Sequence, residues 1–125
     1  MLNRAVDDPK EPYDIVLNGW FADYPDPVDF INILLDGRNI TKENNVNAPL
    51  MNIAAYNERM EQAERLSGKA RYAAFGKLDV DIMRNVAPWA AEYNGTVREF
   101  VSARVGCYVL QESMGIMDFA AACLK

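Results

Sequence analysis

The chain has 125 residues, half of them hydrophobic, with a formal charge of −5 and a pI near 4.7. By length this is about one small domain, able to bury roughly 65–70% of its unfolded surface. No run of Lys or Arg is present, which argues against nucleic acid and anionic membrane surfaces as partners.

Residues 1–12 read as a polar leader in which Pro9 and Pro12 block regular structure and no apolar signal region is present. Residues 13–20, "YDIVLNGW", run apolar around the β-branched pair Ile15 and Val16, and predict a buried strand. Gly19 near its end permits a close approach by another element. Asp26 suits a helix cap and Pro27 its first position, with Phe30, Ile31, Leu34 and Leu35 forming a helical stripe that stops at Gly37. Residues 38–50 are Asn-rich and aperiodic, a loop that is either solvated or laid over something, with Asn44, Asn45 and Asn47 able in the second case to bond a bound peptide backbone. Two helices follow. Residues 51–67 place Tyr56, Met60, Ala63 and Leu66 on one side. Residues 69–87 place Tyr72, Phe75, Leu78, Ile82 and Val86 on one stripe, ended by Pro88, with Arg71 and Arg84 in solvent. Residues 88–94 read as a strand, Asn94-Gly95 as a turn, and 96–105 as an alternating strand. The apolar tail, residues 115–125, predicts a short docking helix.

The order of elements predicts an α/β or α+β mixture. Its first strand is apolar on both faces, yet the chain offers no sheet around it. No run of residues is long and apolar enough to predict a membrane span.

The chemistry open to the chain is narrow. With no histidine, the commonest general acid–base side chain is absent. No C-x-x-C or H-E-x-x-H spacing occurs, and the glycines are too dispersed for a phosphate loop. No metal or cofactor is expected. An enzyme would have to rest on carboxylates alone, and the one candidate pair is Asp23 with Asp26. Cys107 and Cys123, sixteen positions apart, either bridge or are two buried thiols. Asn39-Ile-Thr and Asn94-Gly-Thr match the glycosylation acceptor pattern, as an Asn-rich chain does by chance.

The stretch "NGWFADYPDP", residues 18–27, combines Trp20, Phe21 and Tyr24 with Asp23, Asp26 and two prolines. Taken alone, Asp23 reads as a loop acid bonding its own backbone. The aromatics are either core or an exposed patch, and the second option makes the chain a small free-standing protein-interaction module.

The string Tyr13-Asp14, Gly19-Trp20, Ala22-Asp23-Tyr24, Asp26-Pro27 and Phe30, followed by Ala63, Arg71 and Phe75 on the helix pair and by Ala87-Pro88, resembles the C-terminal part of the family 5 solute-binding proteins. These are the peptide, dipeptide and nickel receptors of ABC importers. The resemblance covers residues 13–125. It implies the C-terminal portion of a two-lobed, periplasmic-binding-protein-like type II fold, with the rest of both lobes lying outside this chain. It implies a non-enzymatic receptor held in the periplasm or at the outer face of the cell membrane. Its partners would be a peptide or other small solute and, through the full-length protein, ABC permease subunits. It places Asp23 against the ligand's α-amino group, with Trp20, Tyr24 and Phe21 as walls of the cleft. Opine-like compounds and sugar oligomers remain open as alternative solutes.

Overall fold

A computed structural model describes residues 15–112 and 114–125. The expected leader, and Tyr13 and Asp14 of the expected strand, lie outside the described residues. The chain divides into two compact units. The first holds residues 15–20 with Asp26–Ala90, and the second Phe21–Pro25 with Ala91–Lys125.

The first unit is helical. Asp26, extended at φ −141 and ψ 140, accepts the Val28 backbone N–H at 2.9 Å, and Pro27 opens a 3-10 turn over Pro27–Asp29. The turn leads into α1 (Asn32–Leu35), with Ile31 donating to the Pro27 carbonyl and Leu35 to that of Ile31. The expected helix is therefore present but starts tightly wound. Three residues per turn shift the angular register, so Ile31, Leu34 and Leu35 are buried while Phe30 stays 41% exposed. A second 3-10 turn, Gly37–Asn39, is capped by Asp36. A Cβ on Gly37 would fall 2.1–2.5 Å from the Asn52 side chain, so only glycine fits this approach.

The Asn-rich loop is not wholly solvated, as its composition predicts. Asn45 and Asn47 are buried. Asn47 accepts the Met51 N–H at 3.0 Å and donates to the Met51 carbonyl at 2.9 Å, replacing water with main-chain partners. Helices α2 (Ala54–Glu64) and α3 (Gly68–Asn85) then pair. Met60 and Ala63 of α2 join Phe75, Leu78 and Ile82 of α3, with Ile31, Leu34, Leu35 and Met51, in one core. Leu66 and Tyr72, placed on the same stripes by periodicity, are exposed at 43% and 59%, because both lie beside the α2–α3 turn where the facing helix runs out.

Residues 15–20 are a correction to the buried-strand expectation. They form no strand, and Ile15 and Leu17 are 92% and 80% exposed. A strand needs a partner edge for its N–H and C=O groups, and the described residues supply none to this segment.

In the second unit, β1 (Val105–Gly106) pairs antiparallel with β4 (Cys123–Leu124), and β2 (Leu110–Gln111) with β3 (Ile116–Met117). The strand expected over 88–94 and the turn at Asn94-Gly95 are absent. The long strand expected over 96–105 shrinks to its last residue, and the tail holds the two short strands β3 and β4 with a turn between them in place of the expected helix. None of the described residues 91–125 is buried, so alternation there has no core to face. The tail is too short for a helix to hold without packing, Gly115 turns it at φ 64, and Cys123 is bonded to Cys107 with Cα atoms 5.3 Å apart. The architecture is a mixed α+β one, with helices in the first unit and short antiparallel strands in the second.

Candidate functional site

The quoted stretch starts with Asn18, whose side chain accepts the Gly19 N–H at 2.8 Å. Trp20 is half-buried against the core of the first unit, and its indole N–H donates to Asp29 Oδ2 at 3.3 Å. Asp29 is fully buried. Asp26 is held more firmly. The Arg71 guanidinium grips it with Nε on Oδ2 at 3.1 Å and Nη2 on Oδ1 at 2.8 Å. The Arg71 side chain is only 15% exposed. Its Nη1 donates to the Glu64 carbonyl at the end of α2, and its guanidinium carbon lies 5.1 Å from the Phe75 ring centre. Arg71 thus ties the capping acid, the end of α2 and the core together.

The electrostatics follow this geometry. The hydrogen bond from Arg71 holds the Asp26 carboxyl below its ordinary value of 3.8, against an opposing push from burial, and the Val28 N–H adds to it. The same pair raises Arg71, which stays a cation. A carboxylate kept charged by a two-point ion pair and a backbone cap is a poor proton shuttle, which counts against the Asp23 and Asp26 hydrolytic pairing. Among the described residues, no group of three His, Cys, Asp or Glu side chains could hold a metal ion.

The four residues expected at the ligand are divided between the units. Trp20 belongs to the first, and Phe21, Asp23 and Tyr24 to the second. Phe21 is 76% exposed, Tyr24 41%, and Asp23 is exposed. Arg71 corrects the expectation of a solvated side chain, since its guanidinium is bonded to Asp26 and to the carbonyls of Ala63 and Glu64. Nothing in the local pattern of α3 marks it, because its partner lies 45 positions away. Only the resemblance singles it out. The second ion network joins the buried Asp36 to the exposed pair Arg38 and Glu61 and links the 3-10 turn after α1 to α2.

No protein-family model, curated protein or solved structure matches this chain. No helix among the described residues is long and apolar enough to cross a membrane.

Proposed function

We propose that this chain supplies part of the ligand-binding face of a family 5 solute-binding protein, a receptor that hands peptides or related small solutes to an ABC permease outside the cell membrane. One observation carries the reading: the exposed carboxylate of Asp23 stands between exposed Phe21 and Tyr24, on a segment flanked by the anchored residues Trp20 and Asp26. A peptide's terminal amine is charged near neutral pH. A preset carboxylate answers it with a charge-assisted bond, strengthened when a second jaw excludes water. Phe21 and Tyr24 offer apolar walls, one with a hydroxyl tip. Trp20, by contrast, is held within the first unit by its indole bond to Asp29.

Two further features support the reading. The apolar run at Ile15 and Leu17 lies open, as a strand does when its sheet comes from another part of a larger receptor. The Cys107–Cys123 disulfide suits an oxidising compartment such as the periplasm.

The test uses the reading frame extended upstream of Met1. It should encode the remainder of a two-lobed protein. In that longer protein, Asp23→Asn should weaken binding of a free-amine tripeptide by roughly 30-fold or more, the loss expected when one member of a desolvated charge pair is removed. The N-acetylated peptide should bind equally to both forms. Equal losses for the two peptides would remove Asp23 from the amine contact.

The exposure of Phe21 favours a second reading, a protein-interaction module that uses this aromatic segment. A tight complex between the 125-residue chain and a protein partner, lost on Phe21→Ala, would favour it over the receptor.

A further inference from the structure

Two Asn-Gly pairs occur in the chain, Asn18-Gly19 and Asn94-Gly95. Both are exposed and lie outside helices and strands. One contact distinguishes them. The Asn18 side chain folds back so that its Oδ1 accepts the Gly19 backbone N–H at 2.8 Å. No hydrogen bond to another described residue involves Asn94 or Gly95. We infer that Asn18 is a site of spontaneous covalent modification, converting to aspartate and isoaspartate through a cyclic imide formed with Gly19, and doing so ahead of Asn94.

The reaction requires the Gly19 nitrogen to reach the carbonyl carbon of the Asn18 side chain. That carbon lies one C=O bond, about 1.2 Å, beyond the oxygen that the N–H already meets. A small rotation about the Cβ–Cγ bond exchanges oxygen for carbon in front of the nitrogen, so the resting geometry borders the reactive one. Both residues are exposed, so a solvent base can take the Gly19 amide proton. The N–Cγ bond forms and the Cγ–Nδ2 bond breaks. The side-chain nitrogen takes a proton from solvent and leaves as ammonia. Water then opens the imide at either carbonyl. One opening gives an ordinary aspartyl residue. The other gives an isoaspartyl linkage, with the backbone running through the former side chain. The reaction needs only water, so it stands apart from the receptor reading.

Gly19 leaves the attacking nitrogen uncrowded. A Cβ added there would meet nothing within 4 Å among the described residues, so Gly19→Ala hinders the attack without a clash in the fold. Incubation of the folded 125-residue chain in mildly alkaline buffer, followed by trypsin and mass spectrometry, tests the inference. Fragment 11–38 carries Asn18-Gly19 and fragment 85–98 carries Asn94-Gly95, with fragment-ion spectra locating each change. Asn18 should convert roughly three- to tenfold faster than Asn94, the bias that a hydrogen bond of ordinary net strength gives to the folded-back conformer. In urea, where that conformer is no longer held, the two rates should converge. The intact product should elute from an anion exchanger as a species one unit more negative than the formal −5. Gly19→Ala should lose the conversion at Asn18. Conversion of Asn18 no faster than Asn94 in the folded chain would overturn the inference. So would an advantage at Asn18 that persists in urea, or conversion of Gly19→Ala at the wild-type rate.

Discussion

Asp26 is where local chemistry and long-range contact meet. An Asp before a Pro at the start of an apolar stripe announces a cap, and the cap is there. The same oxygens also bind a cation 45 positions away, which no local pattern discloses. This second bond has a consequence in acid. Because the folded-state pKa of Asp26 is depressed, its stabilisation is complete above the ordinary value of 3.8 and disappears as pH falls through the lower folded-state value. Urea unfolding at a series of pH values from about 5 down to about 2 should show stability falling with acid in the wild type. Asp26→Asn should flatten that decline. The slope left over belongs to Glu61 and Asp81, whose carboxyls are also lowered, mainly by hydrogen bonds from Arg38 and Arg59. An acid limb identical in the two proteins would remove Asp26 from this role.

The elements divide by the range of the contacts that make them. Helices α2 and α3 are announced by their periodic apolar residues, and their buried faces are largely those the spacing predicts. Along one stripe of α3, however, depth differs sharply, with Phe75 2% and Tyr72 59% exposed. Phe75→Ala should cost roughly 3–5 kcal/mol in chemical denaturation, the range for emptying an aromatic site in a core. Tyr72→Ala should stay within about 0.5 kcal/mol, as exposed substitutions do. Similar losses at both positions would mean that something covers Tyr72. The strands tell the opposite story. Alternation over residues 96–105 predicts a ladder, yet only Val105 at its end pairs, because pairing needs a second strand in register. The tail joins a strand pair because Cys123 is bonded beside Gly106, a contact its alanine-rich composition does not foretell.

Across the whole molecule, cohesion is unequal. Among its described residues, the first unit has a core of nine buried apolar side chains. In the second, none of the described residues 91–125 is buried, and order rests on two-residue ladders, on Glu99 bridging the Tyr108 hydroxyl and the Met117 N–H, and on the disulfide. Closing a loop of this length contributes about 3 kcal/mol by chain entropy. Reduction by a small thiol should therefore move the amide resonances of residues 105–125 toward random-coil positions while the helical far-UV signal of α2 and α3 persists. Unchanged resonances after reduction would show that the ladders hold without the bridge.

Read alone, the amino-acid order settles what is made within one segment: the paired helices, the Asp26 cap and the absence of histidine chemistry. A helix satisfies its backbone with residues four positions away, so its signal is local and survives without knowledge of the rest. Whether residues 15–20 pair, whether the two cysteines join, and where Arg71 points depend on which distant groups the packing brings near. Those distances are properties of the folded chain, and no spacing along 125 residues encodes them directly.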